Sequence, residues 1–106
     1  MSTTAQGSIS ATSSTRFTAT FVLPGSGLQA NFAGDFSSSV QTFNSANAVV
    51  TYNKESDLTG TREFSGQIGV TNIKLTLTNG VTIQGILDMP ISPADSVSGS
   101  GVWDQN

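Results

Sequence analysis

The chain contains no cysteine and no histidine, and only 10% of its 106 residues are charged. Without cysteine there is no disulfide framework and no thiolate nucleophile. Without histidine the commonest general base and the commonest transition-metal ligand are missing, so Ser-His-Asp and Cys-His catalysis is excluded. A zinc, copper or iron site would have to use oxygen ligands alone, which these metals rarely prefer. We therefore expect a protein that is not an enzyme, with no cofactor and no metal site.

Positive charge and long apolar runs are also scarce. The four basic residues are scattered through a chain with a formal net charge of −3 at pH 7. They cannot neutralise a run of phosphates, so we expect no nucleic-acid partner. No apolar run approaches the roughly 18 residues of a membrane-spanning helix, so we expect no membrane-spanning segment. Residues 1–7 lack the basic start and apolar stretch of a signal peptide, which predicts an intracellular protein or a mature form given a start Met.

Serine and threonine are abundant, with sixteen and fourteen copies. Apolar residues alternate with them at a period of two, which is the pattern of half-buried β-strands. The length predicts one domain, residues 1–106, with a single core. Seven strands are predicted, with an eighth if residues 7–11 separate from the next segment; the seven cover residues 16–23, 28–36, 46–52, 58–68, 73–77, 81–87 and 96–104.

The arrangement of these strands follows from their loops and glycines. Short loops favour an up-and-down meander, and each strand must bury one apolar face in a closed barrel or in a two-sheet sandwich. Inward glycines favour the barrel, because strongly coiled strands need kink points. These glycines are Gly34, Gly60, Gly66, Gly85, Gly99 and Gly101. We predict an all-β, antiparallel up-and-down β-barrel of seven or eight strands, with a β-sandwich as the alternative.

Two hairpins have a predictable register. A turn at Pro24-Gly25-Ser26-Gly27 places large side chains opposite small ones, which cross-strand packing favours. The predicted pairs are Leu23 with Leu28, Phe21 with Ala30, Ala19 with Phe32, and Phe17 with Gly34. At the second hairpin, a three-residue loop, Thr78-Asn79-Gly80, pairs Leu77 with Val81 and Leu75 with Ile83, and requires a positive φ at Gly80. A further loop, residues 90–94, is predicted before the last strand.

Arg62 is the one charged residue that strict alternation places on the apolar side of its strand. In one interpretation it lies near the strand end and extends to water, or a bulge shifts its parity. In the other it points inward at the barrel mouth as a donor fork for a carboxylate or other polar ligand, with Tyr52 and Trp103 as aromatic walls. Arg62, Tyr52 and Trp103 are therefore the candidate ligand-binding residues, and we predict no catalytic residue.

The seven carboxylates show no catalytic pattern. Alternation points Asp35, Glu63, Asp88 and Asp104 outward, and Glu55, Asp57 and Asp95 lie in predicted turns. Paired-carboxylate catalysis needs two of them in one cleft with one pKa raised by burial, which nothing in the sequence indicates. Glu55 and Asp57 could hold Ca²⁺ through oxygen ligands, or form a polar turn capped by its own Asp side chain. The twelve-residue calcium-loop pattern is missing, so we expect the turn.

The outward faces predict the class of partner. They carry rows of hydroxyl and amide side chains, which suit solvation or hydrogen bonds to sugar hydroxyls. We expect a non-catalytic binding or adhesion module for a neutral polar small molecule or a glycan. The alternatives are a self-assembling structural or pore-forming, toxin-like β protein, and a barrel isomerase or cyclase using Arg62 and Tyr52.

Outward apolar residues and few edge charges also predict a homo-oligomer; these residues are Val22, Ala33, Val49, Ile86 and Val102.

Overall fold

The structure is a computed structural model that describes residues 3–24 and 27–105, without the side chains of Glu55 and Pro93. It is all-β, with a single 3₁₀ turn at Glu55–Asp57. The strands are β1 (Thr3–Ala11), β2 (Arg16–Val22), β3 (Gln29–Phe36), β4 (Asn44–Tyr52), β5 (Gly60–Leu77) and β6 (Thr82–Gln105). Within the described part of the chain, no helix is long and apolar enough to span a membrane.

The strands close into an antiparallel barrel, as predicted. The sheet order is β3-β2-β1-β4-β6-β5, and an additional pairing of β3 with β6 closes the ring. The closing ladder runs from Ala30 opposite Gln105 to Phe36 opposite Gly99. Closure buries one face of every strand inside the ring and pairs the sheet's edges, so a packed pair of open sheets is not formed.

Chain connectivity departs from a simple meander. β1, β2 and β3 follow one another, but β4 returns to pair with β1 on the side away from β2, which gives the order of a Greek key. The segment between β3 and β4, residues 37–43, crosses one end of the barrel, where the Val40 amide donates to the Ser14 carbonyl at 2.8 Å. It buries Val40 and Phe43 against the core. The up-and-down order expected from short loops is therefore replaced here by a longer connection that contributes to the core.

β5 and β6 form one long hairpin that folds back on itself. Predicted separate strands at 58–68 and 73–77 are joined in β5, and the predicted loop at residues 90–94 is part of β6. β5 bends at Gly69, whose φ is 111°. β6 follows the outside of this bend. Between the pairs Ile68–Asp95 and Asn72–Ile86 it has more residues than β5, and the difference is taken up by two register shifts. Prolines 90 and 93 are tolerated because ladder hydrogen bonding is already interrupted at these shifts.

The two predicted hairpin registers are confirmed. Phe21 lies opposite Ala30, Ala19 opposite Phe32 and Phe17 opposite Gly34, and the Phe17 ring fills the space that a side chain at Gly34 would take. Gly25 and Ser26 of the connecting turn lie outside the described residues. In the second hairpin Leu75 lies opposite Ile83, the Leu77 amide donates to the Val81 carbonyl at 2.8 Å, and Gly80 has a φ of 90°.

Three residues that strict alternation places on the inward face are exposed: Ala46, Leu28 and Gly60. Ala46 is exposed and Ser45 is buried, because a register shift between Gly7 and Ile9 of β1 reverses the parity of β4 at this point. The buried Ser45 hydroxyl is satisfied by donating to the Asn47 carbonyl at 3.1 Å. Leu28, at the end of its turn, is exposed. Elsewhere the predicted alternation holds, and Ile9 of the optional eighth strand is buried in β1.

Aromatic rings fill the barrel interior. All six phenylalanines, Tyr52 and Trp103 are buried. Phe17 is central: its ring centroid lies 5.0 Å from that of Phe36 and 5.5 Å from that of Phe64. The interior is therefore a packed core of side chains, and ligand sites must lie at the barrel's ends or on its outer surface.

Candidate functional site

The largest described cleft lies on the outer surface, where β3, β6 and the first half of β5 are neighbours. It has a volume of about 490 Å³, which is within the range of small-molecule sites. Polar and apolar residues both line it, among them the buried rings of Phe36 and Phe64. The lining residues are Asp35, Phe36, Ser37, Glu63, Phe64, Ser98, Gly99 and Ser100. We refer to it as the serine cleft.

Strand register aligns the charged groups of the serine cleft. Ser100 of β6 lies directly opposite Asp35 of β3 on one side and Glu63 of β5 on the other. Neighbouring strands are about 4.8 Å apart, so the backbones bearing the two carboxylates are separated by about 10 Å. All three side chains are exposed on the outer face. A row of carboxylate, hydroxyl and carboxylate therefore crosses three strands.

Hydrogen bonds fix one side of the serine cleft. The Arg16 Nε donates to Asp35 Oδ1 at 2.7 Å, the one ion pair among the described residues. This hydrogen bond, with the charge of Asp35, raises the pKa of Arg16 above its ordinary value. Ser37 and Ser98 are joined by a 3.1 Å contact between their hydroxyl oxygens and by a 2.8 Å bond from the Ser37 amide to the Ser98 carbonyl. These contacts fix the orientation of Asp35 and Ser37. The Glu63 carboxylate, on the other side of the cleft, is exposed to solvent.

Sequence reasoning did not find the serine cleft. It pointed Asp35 and Glu63 outward, which is confirmed by their exposure. Their alignment with Ser100 depends on β3 pairing with the last strand, and local alternation carries no signal for that pairing. The register of the closing ladder was needed to bring the three residues into one row.

The predicted ligand-binding residues lie at the barrel end formed by the loops 23–28, 53–59 and 78–80. Arg62 keeps its inward parity, because the β5–β6 register is continuous from Gly60 to Ile68, and no bulge shifts it. It is partly buried. Trp103 is only 4% exposed and packs on Phe32, with ring centroids 4.7 Å apart.

Tyr52 occupies the same end but belongs to a different small cleft. That cleft, of about 110 Å³, is lined by Tyr52 with residues of the turns at 53–57 and 79–81. None of the five described clefts includes both Tyr52 and either of the other two predicted residues. Tyr52 is also 4% exposed. The structure thus places all three residues at one end, with Arg62 and Trp103 on adjacent strands.

The Glu55–Asp57 segment is a polar turn closed by its own side chain. The Lys54 amide donates to Asp57 Oδ2 at 3.2 Å, and the Asp57 amide donates to the Lys54 carbonyl at 2.9 Å. This is the capped turn predicted from the sequence. Among the described residues, no three Asp or Glu side chains are grouped closely enough to hold a metal ion.

The protein is a closed antiparallel β-barrel with a cleft on its outer surface. No family model, no curated protein and no solved structure matches this chain.

Proposed function

We propose that the protein is a non-catalytic binding module that recognises a neutral, hydroxyl-rich ligand, such as a carbohydrate, in the serine cleft. The single observation that carries this proposal is the row of Asp35, Ser100 and Glu63 across three paired strands. Carboxylate oxygens accept hydrogen bonds from sugar hydroxyls, and a serine hydroxyl can donate or accept. Phe36 and Phe64 add a small apolar part to the lining of the cleft beside this polar row.

The proposed binding is non-catalytic because neither carboxylate resembles a general acid. Both are exposed, and Asp35 already accepts a hydrogen bond from Arg16. A general acid in glycoside hydrolysis instead needs a pKa raised by burial. Recognition must depend on hydrogen bonds, since every aromatic ring of the chain is buried and none is free to stack broadly on a sugar.

A glycan array followed by calorimetry tests this proposal. The wild-type protein should retain a subset of neutral glycans, and Glu63→Gln should weaken the best of them by about tenfold or more, because a hydrogen bond to a charged group contributes about 1.5–3 kcal/mol. Ser100→Ala should weaken it less. Asp104→Asn is the matched control: it removes an equal charge from the outer face of the neighbouring strand β6, outside the cleft, and should leave the affinity unchanged. Equal weakening by Glu63→Gln and Asp104→Asn would contradict the proposal.

Self-association is a second candidate, supported by exposed apolar side chains. Val22, Ile86 and Val102 are 60%, 64% and 51% exposed. Val102 lies opposite Ala33 on the outer face, between Thr18 and Thr61 of the flanking strands. The barrel is closed and, within the described residues, leaves no open strand edge for pairing. The outer face around Val102 and Ala33 is therefore the surface that favours contact with a second copy.

Sedimentation at micromolar concentration tests self-association. We expect the wild type to sediment above its 10.9 kDa chain mass, and Val102→Lys to shift it to the monomer by burying an unpaired charge in the contact. Thr61→Lys, next to Val102 and also exposed, is the control for added charge and should have a smaller effect. A wild-type monomer would remove this candidate and leave the binding proposal unaffected.

A further inference from the structure

Two N–H donors inside the barrel end have no hydrogen-bond acceptor among the described residues. They are the Nε of Arg62 and the Nε1 of Trp103, and both atoms are buried. Buried donors in native proteins almost always have a partner, because leaving one unpaired is costly. The Trp103 side chain is itself more than nine-tenths buried. These donors therefore mark a place where an acceptor from outside the chain can bind.

The register places the two donors side by side. Trp103 lies opposite Gly60, and Arg62 lies opposite Gly101, so the two side chains are diagonal neighbours on the inner face of one strand pair. Diagonal neighbours are within reach of each other when the side chains are long or aromatic. The Phe32 ring fills the space above Gly101, but a side chain at Gly60 would meet no atom within 4 Å. Gly60 is itself exposed, so the strand pair is open to solvent at this position.

Charge identifies the acceptor. Within the described part of the chain, Arg62 makes no ion pair, and its Nη1 donates only a long hydrogen bond, to the Thr61 carbonyl at 3.4 Å. A partly buried guanidinium without a counter-ion favours an anion, and its planar fork matches the two oxygens of a carboxylate. The indole N–H is a donor only, so it adds a third bond to the same group.

We propose that Arg62 and Trp103 form a carboxylate-binding site at this end of the barrel. The ligand is a small organic acid or the C-terminal end of a peptide. Both present one exposed carboxylate group. The site is on the inner face, whereas the serine cleft is on the outer face, so the two proposals are independent. Tyr52, which lines its own cleft at the same end, is not required.

The single tryptophan of the chain reports directly on this site. Its fluorescence is titrated with sodium acetate and sodium benzoate, and in parallel with acetamide, benzamide and sodium chloride at matched ionic strength. We expect a saturable change with the carboxylates only. A dipeptide with a free C-terminal carboxylate is then compared with the same dipeptide amidated at its C-terminus. A response to the free form alone shows that the end of a peptide can supply the carboxylate. No saturable change, or an equal change with the amides or with inorganic phosphate, would overturn the proposal.

Variants at Arg62 provide the second arm. Arg62→Met should abolish the response, and Arg62→Lys should weaken it about tenfold because lysine lacks the fork. Lys74→Met is the matched control, since Lys74 is a basic residue exposed on the outer face of the same strand, outside both proposed sites, and its loss should leave the response intact. The shift of the Trp103 indole N–H resonance in the wild type on adding benzoate is a readout that does not depend on any variant folding. A response retained in Arg62→Met, or an unmoved indole resonance, would overturn the assignment.

Discussion

Replacing Phe17 with alanine will lower the free energy of unfolding by about 3–5 kcal/mol, the cost of removing a large ring from a packed core. Phe17 is fully buried and its ring contacts four others, with centroids 5.0 to 6.3 Å away. These rings belong to β3, β5 and the crossing segment 37–43, so one substitution loosens three parts of the barrel. Domains of this size are stable by only about 5–15 kcal/mol, so this loss removes a large fraction of the total stability.

Urea unfolding, followed by Trp103 fluorescence and by far-UV circular dichroism, measures this loss. Phe17→Leu should cost less, because leucine fills part of the cavity. Ser96→Ala changes an exposed residue and should stay within about 0.5 kcal/mol of the wild type. A loss below about 1 kcal/mol for Phe17→Ala would mean that the aromatic cluster is not the centre of the core.

A methyl group at Gly66 will also destabilise the barrel, by about 3 kcal/mol, at the upper end of what overpacking usually costs. The first half of β5 passes so close to the second that a Cβ at Gly66 would overlap the carbonyl oxygen of Lys74 and approach the Cα of Leu75. Both are backbone atoms, so no change of rotamer relieves the overlap. Gly66 does not have a positive φ, and the cost therefore comes from this contact alone.

Thermal unfolding and hydrogen exchange of the Lys74 to Leu77 amides measure the effect of Gly66→Ala. Both should report weaker protection, because the two halves of β5 must move apart. Ser65→Ala, one residue earlier and exposed, is the control and should be nearly neutral. An unchanged melting temperature in Gly66→Ala would show that the hairpin does not fold back at this point.

Local sequence patterns predicted which way most side chains point. Alternation identified the buried faces of β2, β3 and β5, and the positive φ at Gly80 followed from keeping Leu77 and Val81 on one face. These features depend on residues close together in the chain. Ser45 could not be predicted to be buried, because the bulge that reverses its parity arises from the pairing of β4 with β1.

Pairings between distant strands were beyond local reasoning. A period of two specifies a face but not a neighbour, so it did not predict that β4 returns to β1 or that β3 pairs with the end of β6. The same limit applies to the sites. Alternation placed Arg62 on the inner face of its strand but left its role open. Its position diagonal to Trp103, and the absence of an acceptor for either donor among the described residues, depend on the pairing of β5 with β6.

The ladder between β3 and β6 has a consequence for the order of folding. Its partners, from Ala30 with Gln105 to Phe36 with Gly99, are far apart in the chain, and contacts of this kind form late because a long loop must close first. On a ribosome, β1 to β4 emerge before their final partner has been synthesised. Until β6 arrives, β3 presents a row of unsatisfied backbone groups, and the nascent chain at that stage is the form of this protein most exposed to misassociation.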